Sequence, residues 1–156
     1  RRSDLGLFYC SRDAVWLRII AGQALGLESP VKVRSRLFQV HLRFAGGGRI
    51  AIPAEHSERA LYVIRGRLAV DEQVIEAGRA IVLPAGKEVA CSSDAPAEVM
   101  AFGGEPLGPR FLWWNFVAST RERIEQAKAD WKAGRFPLPP GDHDGFIPLP
   151  EDRPPA

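Results

Sequence analysis

From Val33 to Phe102 the chain is a succession of short strand-like runs broken by turn residues, and no helical pattern interrupts them. Short strands at close, even spacing can bury their apolar sides only by packing as an antiparallel sandwich or barrel. "RLFQVHLRF" (36–44) alternates, with Phe38, Val40, Leu42 and Phe44 on a core face and Leu37, Gln39, His41 and Arg43 on a wetter one. "AGGGR" (45–49) supplies a turn, and Pro53 ends the short strand "RIAI" because proline has no N–H to give a ladder. "ALYVIRG" (60–66) is apolar at every alternation, the pattern of a strand covered on both faces, and Gly66 closes it. "RLAV" and "QVIEAG" flank a turn at Asp71 and Glu72 as a hairpin, and "RAIVLPAG", "EVACSS" and "AEVMAF" complete the series.

The chain then changes character. After "GGEPLGP" and "RFLWWNFV", Ser119 stands three residues before Glu122, the spacing of a capping box, so a helix is predicted to start there. Ile124, Ala127, Lys128 and Trp131 share one face of it, early acids and late lysines suit its dipole, and Gly134 and Pro137 stop it. The remaining tail holds seven of the thirteen prolines, so it is extended, yet its apolar residues Phe136, Leu138, Phe146, Ile147 and Leu149 suit an arm lying on a surface. The expected organisation is an extension or linker over 1–17, a barrel over 18–118, a helix over 119–135 and a proline-rich arm over 136–156.

A length of 156 residues allows one domain with a full core, and 46% hydrophobic with 26% charged residues excludes wholesale disorder. A net charge of +2, with both signs interspersed, gives no concentrated field for a phosphate backbone, so no direct nucleic-acid partner is expected. Cys10 and Cys91 lie far apart and match no zinc or C-x-x-C spacing, which fits a reduced, cytoplasmic protein with small buried cysteines. No run is long enough to span a bilayer, so no membrane association is expected. The first residue is Arg and not Met, the mark of a fragment or a processed chain.

"GRAIVLPAGKEV" (78–89) carries the most specific pattern. It resembles the second cupin motif, in which a glycine, five residues, Pro-x-Gly, two residues and a histidine build a strand pair and one metal ligand. Gly78, Pro84 and Gly86 match, while Val89 stands at the histidine. Counted back from Gly66, the first motif's acid falls on Arg59, its second histidine on Ala54 or Glu55, and its first on Ile52 or Pro53. An ion in such a barrel needs about three or four imidazole or carboxylate donors. Valine has no lone pair to give and arginine repels a cation, whereas the glycines and the proline serve backbone geometry, so the barrel can outlast the metal.

Over nearly the whole length after Val15, "RIIAG", "SPV", "ALYVIRG", "FGGEPLGP", "WWNFVAS", "ERIEQAKADWKAGRF" and "FIPLPE" resemble the pirin family, in particular its carboxy-terminal cupin domain. The resemblance implies a mainly β fold: a cupin-type antiparallel barrel or sandwich, the double-stranded β-helix, with one carboxy-terminal helix. It implies a parent with two cupins, of which the amino-terminal one holds iron or another divalent metal through histidines and a glutamate. Some family members are similar to quercetin 2,3-dioxygenases, and others are described as transcriptional cofactors. On that footing this chain is a metal-free domain without catalytic residues or a cofactor of its own. It supports an amino-terminal metal-binding cupin, and it can self-associate through the face meant for that partner.

Two other readings stay open. One is a stand-alone small dioxygenase with an unusual metal site from His41, His56 and a nearby glutamate, against which stand a solvent or barrel-mouth position for His41 and a hydrogen-bonded surface position for His56. The other is an interaction module for a transcription regulator, using Trp113, Trp114, Phe116 and the tail. In an extended segment Trp113 and Trp114 point to opposite faces, either both inside the fold or one of them on another domain. "DHD" (142–144) reads as turn chemistry, Gly46 to Gly48 lack the setting of a phosphate loop, and Ser57 and Ser119 have no evident His and acid partners.

Overall fold

The computed structural model describes residues 8–141, 145 and 147–150. The strands, in chain order, are β1 (Phe8–Arg12), β2 (Val15–Ala24), β3 (Leu27–Glu28), β4 (Leu37–Phe44), β5 (Gly48–Ile52), β6 (Glu58–Arg65) and β7 (Arg67–Val70). They continue with β8 (Gln73–Glu76), β9 (Ala80–Leu83), β10 (Val89–Ser93), β11 (Ala97–Gly104), β12 (Phe111–Trp113) and β13 (Phe116–Ala118), and the helix α1 (Arg121–Lys132) follows. A seven-stranded antiparallel sheet runs β1-β2-β4-β11-β6-β9, with β3 added beside β2. A four-stranded antiparallel sheet runs β5-β10-β7-β8, and β12 and β13 form a separate hairpin.

One apolar core is shared by the two large sheets. Leu17, Val40, Leu61 and Val99 enter it from the larger sheet, and Ile52, Leu68, Val89 and Cys91 from the smaller one. β4, β5 and β10 alternate between buried and more open positions, so there a side-chain period of two is enough to sort residues into core and surface. Burying each Leu, Ile or Val in such a core contributes about 1.5–3 kcal/mol, which makes the paired sheets the main source of stability. The fold is therefore a mainly β, cupin-type arrangement with one carboxy-terminal helix, as its sequence suggests.

The chain divides into two compact units, residues 1–106 and 107–156. Residues 8–17, expected to be an extension, supply β1 and the start of β2, and Val15 and Leu17 are core residues. The hairpin β12–β13, expected within the barrel, belongs to the second unit.

Two further expectations are corrected. β6 is not covered on both sides: Leu61 and Val63 are inside, whereas Tyr62 and Ile64 are 39% and 38% exposed on the outer face. The helix is capped by Thr120 and not by Ser119; Thr120 has extended backbone, and its hydroxyl accepts from the Arg123 N–H. The inward helix positions agree with the pattern: Ile124 is buried and Ala127, Lys128 and Trp131 are half-buried. Gly134, at φ +65°, ends it by donating its N–H to the Trp131 carbonyl. No helix among the described residues is long and apolar enough to cross a bilayer.

Candidate functional site

Three of the residues expected at the motif's ligand positions, Ile52, Arg59 and Val89, come together. Val89 opens β10 and lies directly opposite Ile52 at the end of β5, both buried in the smaller sheet. Arg59 enters from β6 of the larger sheet, beside Leu83, and is 2% exposed. Its Nη1 donates to the carbonyls of Ile52 (3.2 Å) and Pro53 (2.8 Å), and its Nη2 to those of Lys87 (2.8 Å) and Pro84. One guanidinium thus ties the end of β5 to the turn between β9 and β10. That turn belongs to the motif, whose glycines, Gly86 in the turn and Gly78 ahead of β9, are there for the backbone: they have φ +68° and +82°, and a Cβ on either would meet nothing within 4 Å. Close approach matters instead at Gly103 of β11, where a Cβ would come within 2.0 Å of the Glu58 carbonyl oxygen.

A guanidinium has five donors in a planar fork, so four carbonyl oxygens around it stand in for the water that a buried cation loses. Its Nε is buried without a hydrogen bond. A metal does not fit this donor set, because the side chains of Ile52 and Val89 bring no lone pairs and Arg59 brings a fixed positive charge that repels a cation. Ala54 and Glu55, the other candidate positions, are exposed, and Glu55 accepts the Leu25 N–H at 3.2 Å. Among the described residues no three His, Cys, Asp or Glu side chains are grouped so as to hold a metal ion.

His56 differs from expectation: it lies in the loop before β6 yet is only 4% exposed, with its ring against Phe38 at 4.8 Å between centroids. Its Nε2 is 2.9 Å from the Gln23 carbonyl, which can only accept, so Nε2 carries the hydrogen. Its Nδ1, 3.9 Å from Glu105 Oε1, makes no hydrogen bond. Glu105 is held by Ser57, through the hydroxyl at 2.7 Å and the backbone N–H at 3.2 Å, and these bonds keep its carboxyl below the ordinary carboxylate range. Ser57 thus has an acid partner that the sequence did not reveal. The hydroxyl meets the carboxylate directly and not the imidazole, so this is not the relay that activates a nucleophile. A cleft of about 670 Å³ opens beside His56, lined by Ser29, Lys32, Arg36 and Glu55 among others.

His41 sits on the other side of β4. Its Nε2 lies 2.7 Å from Glu98 Oε1 and its ring meets Trp16 edge-on at 5.7 Å. Phe38, and His56 with it, faces the inner side of the same strand, so the two histidines are separated by the sheet and are not brought together. Cys91 donates weakly to the Ile50 carbonyl at 3.4 Å, and burial pushes its thiol up to about 12, which leaves no nucleophilic thiolate at neutral pH.

In the second unit, Trp113, Trp114 and Phe116 do not point to opposite faces. Trp114, at φ +51°, turns the hairpin, and the three rings join Trp131 and Phe136 in one cluster, with Trp114 and Trp131 edge-on at 5.3 Å. Lys128 lies over the Trp113 ring at 4.2 Å. Trp131 Nε1 donates to the Ile147 carbonyl at 2.8 Å, which fixes that point of the tail on the helix. "DHD" (142–144) and Phe146 lie outside the described residues.

Comparison with known proteins gives a consistent assignment. Residues 39–137 match the pirin C-terminal cupin domain. A pirin-like protein of Caulobacter vibrioides is 50% identical over 144 residues, covering 92% of this chain and 50% of that protein. Human pirin is 28% identical over 130 residues, covering 78% of this chain and 45% of pirin. The crystal structure of a quercetin 2,3-dioxygenase from Acinetobacter baumannii superposes with a TM-score of 0.80 at 27% identity, over 96% of this chain and 52% of that one. The chain spans about half the length of the relatives it matches. With a family match over residues 39–137 and a relative 50% identical over 92% of its length, the chain belongs to the pirin family as a C-terminal cupin domain.

Proposed function

We propose that this chain is the metal-free half of a two-domain pirin-like protein, and that it acts as the structural partner of a second, metal-bearing cupin. The observation that carries the proposal is the Arg59 guanidinium, bonded to four carbonyls beside Ile52 and Val89, where the family motif would place ligands. A domain with a tethered cation at that position has no redox or Lewis-acid centre of its own there. The lengths of the relatives support the other part of the reading, since each has about as much chain again as this one. Any oxygenase chemistry of the kind named for the Acinetobacter relative then belongs to the partner domain. The aromatic residues Trp113, Trp114 and Phe116 pack together within the second unit in this reading.

Elemental analysis of the purified chain tests it. After dialysis, iron, nickel, copper and zinc are each expected far below one ion per chain, and the chain alone consumes no oxygen with quercetin. One tightly held transition-metal ion per chain overturns the proposal.

A further inference from the structure

The cleft beside His56 has walls that hydrogen bonds hold in place. It holds about 670 Å³, a volume suited to a small ligand, and lies wholly inside the first unit, between the end of β2, the 29–36 loop and the pair Glu55 and His56. β2 bulges there: its register with β4 slips between Ile19 and Ala21, and a Cβ on Gly22 would come 1.7 Å from the Leu37 carbonyl oxygen. Ser29 pins the start of the loop to that bulge. Its N–H donates to the Gly22 carbonyl (2.9 Å), and its hydroxyl donates to that of Ile20 (2.7 Å) while accepting the Val31 N–H (3.2 Å). At the other end of the loop the Arg36 carbonyl accepts the Glu105 N–H at 2.9 Å. The facing wall is fixed as well, His56 to the Gln23 carbonyl and the Glu55 carboxylate to the Leu25 N–H. Such a cleft does not have to be ordered by what enters it, which lowers the cost of binding.

The charges around the cleft are not spent on one another. Glu28 of β3 and Lys32 of the loop both border it, and neither makes a hydrogen bond or an ion pair with another described residue. Arg36, also on the border, has only Nη2 engaged, at 3.5 Å from the Glu55 carbonyl. Val31 and Val33 flank Lys32 in the sequence, line the same cleft and are 54% and 40% exposed. Opposite charges held out of reach of each other on one cavity are complementary to a molecule that carries both signs. We propose that this cleft binds a zwitterion of the amino-acid class, free or as a short peptide. Its ammonium group lies on Glu28, its carboxylate on Lys32 and Arg36, and its apolar side chain on Val31 and Val33. A contact at either end alone is an exposed ion pair of small worth, so selectivity requires both.

Calorimetric titration of the purified chain at neutral pH tests the proposal with four related probes. Leucine and leucyl-leucine carry both charges, N-acetylleucine lacks the ammonium group, and leucinamide lacks the carboxylate. At least one of the two zwitterions is expected to bind in the millimolar range or below, and each single-charge probe about fivefold or more weakly than it. The tighter of the two zwitterions identifies the source, a free amino acid or a peptide. Glu28→Gln should weaken the zwitterion by about fivefold and leave N-acetylleucine unchanged, whereas Lys32→Gln should weaken the zwitterion similarly and leave leucinamide unchanged. Glu76→Gln, on β8 of the smaller sheet, should alter neither. All three side chains are exposed, so the variants should melt with the parent. The proposal is overturned if neither zwitterion binds in the millimolar range, or if binding survives Glu28→Gln and Lys32→Gln together. N-acetylleucine binding as tightly as leucine and leucyl-leucine would make this a plain anion site and overturn it too.

Discussion

The two units of the molecule solve the problem of burial in different ways. Residues 1–106 enclose an aliphatic core in which Val15, Leu17, Val40, Leu61 and Val99 are wholly buried. In residues 107–156, Ile124 is the one buried hydrophobic side chain among the described residues, and the rest of the packing is done by half-buried rings meeting edge to face. Paired sheets can interleave branched side chains over many strands, whereas a three-residue hairpin and a single helix have too few positions. Aromatic residues compensate because each covers about 150–250 Å² and gains further from ring geometry and from cations such as Lys128. The lesson is that the first unit is stabilised by close packing and the second by a few large contacts. Their responses to substitution should therefore differ in kind.

Arg59→Met should produce the largest effect. Methionine keeps much of the volume but leaves the carbonyls of Ile52, Pro53, Pro84 and Lys87 without their donor, and a loss of about 3–5 kcal/mol is expected in urea unfolding. If Arg59→Met is as stable as the parent, the desolvation cost of the guanidinium cancels its bonds, and the first unit rests on aliphatic packing alone. Next comes Leu61→Ala, with about 2–4 kcal/mol lost through the cavity left between the sheets.

Trp131→Ala sharpens the contrast more than it shifts overall stability. Amide exchange in α1 should quicken by about ten- to thirtyfold, in line with about 1.5–2 kcal/mol of local contact, while β4 and β11 keep their protection. Equal loss of protection in both units would mean that they open as one. Thr120→Ala removes the cap and should cost the helix about 1 kcal/mol, read by the same exchange measurement.

The smallest effect is in acid. The Ser57 hydroxyl and N–H hold Glu105 below its ordinary 4.5 in the first unit. In the second, Glu122 is held below the same value by its own backbone N–H and the Thr120 hydroxyl. A carboxyl with a depressed folded value stabilises fully above the unfolded value, and that contribution is lost as pH falls through the folded one. Both units should therefore weaken modestly below about pH 4.5. Glu105→Gln should flatten the response in the strands and Glu122→Gln in the helix, as amide exchange against pH would separate.

Much of this architecture was legible in advance because strands announce themselves by alternation. β4 reads directly from Phe38, Val40, Leu42 and Phe44. What stayed hidden depends on partners distant in the chain. Arg59 could be placed at the acid position, but its role depends on carbonyls contributed by residues 52–53 and 84–87, and a carbonyl has no sequence signature. His56 looked like a surface histidine because a loop is usually wet, and its burial depends on Phe38 and Gln23. Tyr62 and Ile64 looked covered because their chemistry is that of covered residues, yet each is about two-fifths exposed. The helix cap moved by one residue because Ser119 and Thr120 are chemically equivalent candidates and only backbone geometry separates them.

The tethered charge at Arg59 has a consequence for how the protein withstands scarcity. A bound ion can be stripped by a chelator, exchanged for a competitor or lost on dilution, but a guanidinium carried on the backbone can be none of these. The end of β5 and the turn before β10 are therefore held together by the chain's own charge, whatever ions the solution supplies.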